Sequence, residues 1–242
     1  MIIQKKILGI VGIRSGSKGL KNKNIKLLGD KPLVGWILNT AKKSKYINRL
    51  IVSTDSKKYK KIAENYKAEV PFLRSKKLSK DNSDEIDFIK DLLKNLKKKE
   101  NYEPDIIVRL LATSPFQKKY EIDKLINLIL KRKYNCGMVI SEAKQHPGKA
   151  VKIFGNKKKR LVSFIHNNGV SIGQKQNRQE IIKKTGKVYY RSNVIACRTS
   201  VIKKFNSLTS DKVGYVIISN KNMVDIDNKQ DFEFAEFLIN KK

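Results

Sequence analysis

Short apolar runs alternate with amphipathic segments over the first half of the chain, and this alternation limits the fold more than any other feature. Residues 7–13, 49–55 and 105–111 are apolar without regular polar alternation, which is typical of parallel strands covered on both faces. Apolar residues recur at helical spacing between and after them, which predicts helices at residues 33–41, 57–67, 84–98 and 120–131. This order predicts an α/β fold with a doubly wound, mostly parallel sheet. Such sheets bind ligands at the carboxyl ends of their strands.

The pattern changes between residues 137 and 200. Short strand-like pieces alternate there with polar connections that contain glycine, which predicts a small β-rich excursion, a cap or a dimerisation hairpin, at about residues 141–200. The parallel pattern returns with a predicted strand at 214–219 and a last helix at 229–240. Another short strand is predicted at 69–74, near a sheet edge because it contains Pro71. No internal repeat or low-complexity linker is visible, so residues 1–242 are predicted to form one domain.

The charge balance of the chain allows two interpretations. Its 54 Lys and Arg residues against 22 Asp and Glu residues give a formal net charge of +32, which is typical of nucleic-acid-binding proteins. The lysines are nevertheless scattered along every predicted helix and form no stripe with interleaved aromatic residues. We therefore expect solvated faces and no nucleic-acid partner. The excess charge would still attract a polyanionic substrate over long distances.

Membrane and extracellular classes are not indicated. No apolar run approaches the ~20 residues that a membrane span needs, and the first residues lead into a predicted strand without a visible signal peptide. Cys136 and Cys197 are far apart in the sequence and lack CxxC spacing, so neither a metal site nor a disulfide framework is expected. We expect reduced thiols, a cytoplasmic protein and no membrane partner.

A basic loop that contains glycine follows the first predicted strand. Gly16 and Gly19 stand among Arg14, Lys18 and Lys23. Glycine lets the backbone approach a ligand closely or take a positive φ, and successive backbone amides can then bind an anion. The loop contains neither the Walker A pattern nor G-x-G-x-x-G. It is therefore either a phosphate-binding loop of another class or a basic surface turn.

Asp225 and Asp227 form the most informative acidic pair. At positions i and i+2 of an extended segment, both carboxylates point to the same side. That arrangement suits a hard cation such as Mg²⁺, which prefers carboxylate and water oxygens. The alternative is that Asp227 caps the helix predicted at 229–240 by accepting from its first backbone amides.

Together these motifs resemble those of the acylneuraminate cytidylyltransferases, the CMP-sialic acid synthetase family. The N-terminal signature of that family reads roughly Ala-Arg-Ser-Gly-Ser-Lys-Gly, then Leu-Pro-x-Lys-Asn. Residues 14–20 match it, as do Lys23 and Asn24, while Ile13 and Lys21 depart from it. The family also carries Asp-Ile-Asp followed by Asp-Phe or Asp-Leu near its C-terminus, as residues 225–232 do here. The resemblance therefore favours Asp225 and Asp227 as metal ligands for Mg²⁺ and leaves Asp231 structural.

Further short matches imply the remaining site residues. The resemblance implies that the nucleotide is bound by Arg14, Ser15, Gly16, Lys18, Lys23, Asn24, Arg74 and Ser83. It implies sugar contacts from Lys149, Arg178, Arg191 and Asn193. Arg14, Lys18, Lys23 and Asp227 would carry the catalysis, and His146, in His-Pro-Gly-Lys, is expected to be a turn residue rather than a general base. Leu111 and Ala112 replace the Gln and Pro of the family, which leaves the identity of the sugar open.

The resemblance implies that the protein transfers CMP from CTP to a nonulosonic acid, such as a sialic or legionaminic acid, with release of pyrophosphate. It also implies a homodimer. No G-x-S-x-G elbow is present, so a covalent nucleophile is not expected. Two other functions stay open. One is the cytidylyltransferase for 3-deoxy-manno-octulosonate, and the other is a non-catalytic basic protein that binds RNA or polyphosphate.

Overall fold

The computed structural model describes residues 5–17, 19–131, 133–155, 160–164 and 178–241. Ten strands and seven helices lie within these residues. The strands are β1 (Ile7–Gly12), β2 (Leu27–Leu28), β3 (Lys31–Pro32), β4 (Arg49–Ser53), β5 (Ile106–Leu110), β6 (Cys136–Glu142), β7 (Val151–Phe154), β8 (Arg160–Ser163), β9 (Tyr189–Arg198) and β10 (Val213–Ile218). The helices are α1 (Leu33–Lys42), α2 (Lys57–Asn65), α3 (Glu85–Glu100), α4 (Lys119–Leu130), α5 (Arg178–Thr185), α6 (Thr199–Phe205) and α7 (Lys229–Asn240).

A six-stranded sheet in the order β10-β6-β9-β5-β1-β4 forms the centre of the fold. β1 pairs in parallel with β4 and β5, and β10 pairs in parallel with β6. The mostly parallel sheet predicted from the apolar runs is thus confirmed. The exception is β9, which runs antiparallel between β5 and β6.

The central position of β9 corrects the predicted extent of the excursion. Residues 189–198 belong to the main sheet, and of the described residues before them the β7–β8 hairpin and α5 lie outside it. The first residues of β9 are exposed and polar, while Val194, Ala196 and Cys197 are buried. A strand with one polar end lacks the continuous apolar run by which central strands are recognised in sequence.

Helices cover both faces of the sheet. On one face the apolar side chains of α1 and α4 pack on strand residues such as Val11, Val108 and Val139. On the other face α3 and α6 pack on Leu8 and Ile107, among others. Burying each such side chain contributes roughly 1.5–3 kcal/mol. A third, smaller cluster holds α7 against the β2–β3 hairpin, and it includes Val224 and Ile226 of the segment before α7.

Most local predictions agree with the structure to within two residues, and the exceptions are β9 and the segment 69–74. The helices predicted at 57–67, 84–98, 120–131 and 229–240 correspond to α2, α3, α4 and α7. The strand predicted at 69–74 is wrong, because only Glu69 forms a single bridge, to Ile51, before the chain leaves the sheet. Among the described residues no helix has the length and apolar character that crossing a membrane requires.

The antiparallel direction of β9 has a consequence for function. β1, β4 and β5 end at the same edge of the sheet, and β9 begins at that edge because it runs the opposite way. Residues 190–194 therefore lie beside the end of β5. This edge collects the loop after β1, the start of β9 and the segment before α7.

Candidate functional site

A cleft of about 570 Å³ opens at the carboxyl end of β1. Its walls come from four parts of the chain: described residues between 12 and 24, residues between 74 and 88, Thr113, and Asp227. Six of the residues that the sequence predicted for the site line it, namely Arg14, Lys23, Asn24, Arg74, Ser83 and Asp227. The structure thus brings the basic loop and the C-terminal aspartate segment to one place, as the site prediction required.

Hydrogen bonds to Asp55 and within the loop hold the basic loop in place. The amide of Ser15 donates to Oδ1 of Asp55 (2.9 Å) and its hydroxyl donates to Oδ2 (2.8 Å). The buried side chain of Asn24 donates to the carbonyl of Arg14 at 3.3 Å. Ser15 therefore uses both donors to hold the loop on the segment after β4, and Asn24 ties the end of the loop to its beginning.

Gly19 and Gly16 differ in what surrounds them. A Cβ on Gly19 would lie 2.6 Å from the backbone carbonyl oxygen of Asp227, closer than real Cβ atoms come to other atoms. A Cβ on Gly16 would meet nothing within 4 Å among the described residues, and Gly16 does not have a positive φ. Gly19 therefore packs tightly against the aspartate segment, while the predicted approach of the loop to a ligand stays a prediction.

Two cations of the cleft form ion pairs with carboxylates. Nζ of Lys23 lies 3.1 Å from Oδ1 of Asp227, with the lysine side chain 14% and the aspartate side chain 74% exposed. Nη2 of Arg14 lies 2.6 Å from Oδ1 of Asp81. Both pairs are at the solvent-facing side of the cleft, where an incoming polyanion can compete with the carboxylates for the cations.

Buried and exposed side chains alternate in the segment before α7. Val224 and Ile226 are buried while Asp225 and Asp227 are exposed, so the two carboxylates share one side of the chain. The amide of Ile226 donates to the carbonyl of Thr113 at 3.0 Å, which fixes the segment against the end of β5.

A different residue caps α7. The side chain of Asn228 accepts from the amide of Asp231 at 3.0 Å, and the carboxylate of Asp231 accepts from the amides of Asp227 and Asn228. The alternative in which Asp227 is the N-cap is therefore wrong, and the structural role expected of Asp231 is confirmed. The side chain of Asp227 is not needed to begin the helix.

Arg74 lies against the floor of the cleft. Its Nε donates to the hydroxyl of Ser53 (3.0 Å), its Nη2 donates to the carbonyl of Ser53 (2.6 Å), and its guanidinium stacks 3.8 Å above the ring of Phe88. Burial lowers the pKa of Arg74 to about 10, against the opposing effect of Asp55, so it stays charged at neutral pH. A Cβ on Gly12 would lie 2.6 Å from the Phe88 ring, so glycine at the end of β1 allows this ring to pack against the strand.

The predicted sugar contacts are only partly assembled. Asn193 donates from Nδ2 to the buried hydroxyl of Ser114 at 2.7 Å, and Arg191 is exposed two residues earlier on β9. Lys149 is exposed on the 3-10 turn after β6, and none of the described contacts joins its side chain to the cleft. Lys18 and the side chain of Arg178 lie outside the described residues.

His146 is a turn residue, as expected. It is buried, its Nδ1 accepts from the amide of Gly148 at 3.0 Å, and its Nε2 lies 3.1 Å from the hydroxyl of Thr185. An imidazole that accepts at Nδ1 carries its proton on Nε2, where it donates within the excursion. Both nitrogens are thus used to hold the turn together.

Several residues at this edge were not predicted from the sequence. Asp81, Glu85 and Phe88 line the cleft, and Arg109 is buried directly behind it. Glu85 and Phe88 were counted only as part of an amphipathic helix. Arg109 is recognisable in the sequence as a charged residue in an otherwise apolar strand. The strand pattern alone, however, does not predict which residues it contacts.

Comparison with known proteins identifies the family. Residues 8–209 match the family model described as cytidylyltransferase. The chain belongs to the cytidylyltransferase family. This match covers the basic loop, β9 and all of the residues that line the cleft except Asp227, which lies with Asp225 beyond the match.

Individual relatives of this cytidylyltransferase-family chain match it over shorter stretches. It is 43% identical over 91 residues to the N-acylneuraminate cytidylyltransferase of Escherichia coli O18:K1:H7, a match that covers 38% of this chain and 22% of the relative. It is also 43% identical over 88 residues to the CMP-N,N'-diacetyllegionaminic acid synthase of Legionella pneumophila, which covers 36% of this chain and 38% of the relative. The chain therefore spans well under half the length of these relatives.

Solved structures share the fold over nearly the whole chain. A CMP:2-keto-3-deoxy-manno-octonic acid synthetase complexed with CTP superposes with a TM-score of 0.68 at 13% identity, covering 98% of this chain and 99% of that one. The 4-diphosphocytidyl-2C-methyl-D-erythritol synthase of Anaerococcus prevotii gives a TM-score of 0.59 at 18% identity, covering 98% and 99%. At these identities the likeness concerns the fold alone, and it agrees with the predicted α/β architecture with a mostly parallel sheet.

Proposed function

We propose that this chain is a cytidylyltransferase that activates a nonulosonic acid with CTP. The observation that carries the proposal is the contact between the basic loop and the aspartate segment, where Gly19 packs on the Asp227 carbonyl and Lys23 pairs with its carboxylate. Cations from one end of the chain and carboxylates from the other thus meet at the edge where α/β sheets bind nucleotides. Two relatives that match part of this chain are named as an N-acylneuraminate cytidylyltransferase and a CMP-N,N'-diacetyllegionaminic acid synthase, and these names support a nonulosonic acid as the substrate.

Binding of the triphosphate would replace two ion pairs within the protein by ion pairs with phosphate. A nucleoside triphosphate carries about four negative charges at neutral pH and needs positioning and charge neutralisation above all. Arg14 and Lys23 would turn from Asp81 and Asp227 to phosphate oxygens, and Lys18 would add a third cation. Asn24 and Ser15 would hold the loop in shape, and Gly16 would contribute its backbone amide. Arg74 and Ser83 would contact the nucleoside on the opposite wall.

Once Lys23 binds phosphate, the carboxylate of Asp227 would be available, with that of Asp225, to bind a metal ion. Two exposed carboxylates on one side of the segment fit a magnesium ion. No group of three or more His, Cys, Asp or Glu residues able to hold a metal occurs among the described residues, so phosphate and water oxygens would complete the coordination. When bound, Mg²⁺ supplies Lewis-acid stabilisation of charge on the phosphates.

The acid would approach from β9. Its anomeric hydroxyl oxygen attacks the α-phosphorus of CTP in line, the bond from that phosphorus to the bridging oxygen of pyrophosphate breaks, and the hydroxyl proton leaves to solvent. Asn193 and Arg191 would orient the acid on this side, with Lys149 and Arg178 contributing from the excursion. Arg14, Lys18 and Lys23 would stabilise the charge that develops on pyrophosphate.

The proposal is tested by pyrophosphate release. Protein with Mg²⁺ and CTP is incubated with sialic, legionaminic and pseudaminic acids and with 3-deoxy-manno-octulosonate, and GTP replaces CTP in matched reactions. We expect turnover with CTP and at least one nonulosonic acid, and turnover at least about tenfold lower with GTP because the cleft selects its base. Pyrophosphate only with the octulosonate would instead favour the alternative suggested by the shared fold.

The non-catalytic alternative makes a different prediction. A basic RNA- or polyphosphate-binding protein would bind polyanions with a steep salt dependence and without regard to the base. Equal affinity for CTP, GTP and tripolyphosphate, with no pyrophosphate in any reaction, would favour that alternative and contradict the proposed enzyme.

A homodimer forms part of the proposal, and one sheet face supports it. Met138 and Ile140 of β6 pair with Tyr215 and Ile217 of β10, so these four side chains share a face. Tyr215 is 59% and Ile217 53% exposed, whereas nearly all residues of β1, β4 and β5 in the same sheet are buried. Contiguous apolar side chains on a sheet edge are typical of an interaction surface. A second copy of the chain would cover them.

The dimer proposal is tested by sedimentation velocity. Ile217→Glu should shift a dimer toward monomer, because a charge would be buried without a partner at the interface. Phe237→Glu is the matched control, since Phe237 is equally exposed but belongs to α7, which packs on the β2–β3 hairpin. A monomeric wild-type protein, or an unchanged dimer in Ile217→Glu, would contradict the assignment of this face.

The cytoplasmic location stays a prediction. Cys136 and Cys197 are buried and free although they stand opposite each other on β6 and β9. Burial raises the pKa of Cys197 to about 12, so its thiol is protonated and unreactive at neutral pH. Unpaired neighbouring thiols support a reducing compartment.

A further inference from the structure

Arg109 is a buried cation in a central strand that is otherwise apolar. β5 has the sequence Ile-Ile-Val-Arg-Leu, and Arg109 is only 8% exposed although it stands next to the last residue of the strand. Burying a guanidinium is costly unless specific partners compensate its charge and its donors. Its partners therefore indicate what it does.

The partners of Arg109 come from two other elements at the same edge of the sheet. Its Nη1 donates to the backbone carbonyl of Asn193 at 2.9 Å. Its Nε lies 3.2 Å from Oε2 of Glu85, the first residue of α3, in an orientation that makes an ion pair without a hydrogen bond. Burial lowers the pKa of Arg109, Glu85 and Asp225 raise it, and nearby Arg191 lowers it further.

The carbonyl that Arg109 holds belongs to an irregular part of β9. Between the pairs Met138–Ile195 and Ile140–Arg191, β6 advances two residues while β9 advances four. The extra residues form a bulge around Asn193, and bulges interrupt the regular hydrogen bonds of a ladder. Arg109 supplies a donor from the neighbouring strand, and Ser114 accepts from the Asn193 side chain at 2.7 Å.

The same contacts extend to the nucleotide cleft. Glu85 and Thr113 both line the cleft. The Thr113 carbonyl accepts from the amide of Ile226, which stands between Asp225 and Asp227. Arg109 is thus in contact with the cleft wall on one side and with the bulge on the other.

We propose that Arg109 is a positioning residue that sets the β9 bulge, and with it Asn193, against the nucleotide cleft so that the acid substrate meets the bound nucleotide. Arginine is required because its fork of donors reaches Asn193 and Glu85 together. Lysine keeps the charge but has one nitrogen and cannot hold both partners. The inference rests on the proposed function, because it deepens the role given to the β9 side of the site.

Arg109→Lys tests the inference by steady-state kinetics. We expect the KM for the acid to rise about tenfold or more, while the dissociation constant for CTP, measured by calorimetry without acid, changes less than about threefold. In an Asn193→Ala background the Arg109→Lys substitution should add little to the KM, because the two residues act on one element. An equal loss of CTP affinity, or fully additive effects, would overturn the inference.

Hydrogen–deuterium exchange provides a readout that needs no turnover. In Arg109→Lys the amides of residues 189–195 should exchange faster than in wild type. The matched control is Arg49→Lys, since Arg49 forms ion pairs with Glu69 and Glu100 where β4 begins. Weakening these pairs should leave the exchange rates of residues 189–195 unchanged. Unchanged exchange at residues 189–195 would overturn the inference.

A second variant covers the case in which Arg109→Lys does not fold. Ser114→Ala removes the hydrogen bond between the Asn193 side chain and the Ser114 hydroxyl. Like Arg109→Lys, it should raise the KM for the acid and speed hydrogen exchange of the amides in the bulge. If wild-type protein turns over no acid, the proposed function fails on its own experiment. The exchange measurement then still decides whether Arg109 holds the bulge.

Discussion

Gly19→Ala is expected to lower kcat/KM for CTP by about 10² or more, because even a shift of about 1 Å in a positioning element has effects of that size. The new Cβ would lie 2.6 Å from the Asp227 carbonyl oxygen, a backbone atom that cannot rotate away. The loop must therefore move off the aspartate segment. Lys23 would then lose its place beside Asp227, and the cations would no longer face the same phosphates as the carboxylates. Pyrophosphate release measured against CTP concentration gives the effect.

Gly16→Ala is the matched control for Gly19→Ala. Gly16 belongs to the same exposed loop, but a Cβ there meets nothing within 4 Å among the described residues. The same chemical change should therefore leave kcat/KM within about threefold of wild type. Both variants should unfold at nearly the wild-type temperature, since neither glycine is part of the core. Equal losses in the two variants, or none in Gly19→Ala, would contradict the proposed contact between loop and aspartate segment.

The fold could be predicted from the sequence wherever a strand is buried on both faces. β1, β4 and β5 have continuous apolar runs, and the amphipathic helices between them have a clear period, so local pattern and tertiary structure agree. β9 was misplaced because its first residues are polar where they reach the site. The segment 69–74 was misassigned because Val70 is buried by packing against the core, without the ladder hydrogen bonds of a strand.

The site could be predicted where residue types recur close together in the chain. Arg14, Lys23 and Asn24 stand in one loop, and Asp225 and Asp227 share one side of one segment. Arg109 and Asp81 could not be found in this way, because their partners Asn193 and Arg14 are distant in sequence. Such contacts depend on which strands become neighbours, and the insertion of antiparallel β9 beside β5 was not visible from local periodicity.

Asp227→Asn is expected to lower kcat by about 10² or more with little change in stability. Losing about 3 kcal/mol of transition-state stabilisation is sufficient for that effect, and a carboxylate proposed to hold Mg²⁺ beside the phosphates provides stabilisation of this order. The side chain is 74% exposed and its pair with Lys23 is a surface ion pair, which contributes about 0–1 kcal/mol to folding. Kinetics and thermal unfolding on the same preparation measure both quantities.

The control for Asp227→Asn is its neighbour Asn228. Asn228→Ala removes the side chain that caps α7 and should lower the free energy of unfolding by about 1 kcal/mol. Turnover should be nearly retained, because the Asp227 and Asp225 side chains are untouched. The two adjacent substitutions thus have opposite expected profiles, one catalytic and one structural. An Asp227→Asn protein that unfolds early but keeps its turnover would mean that this aspartate serves the helix, and the metal role proposed for the pair would be wrong.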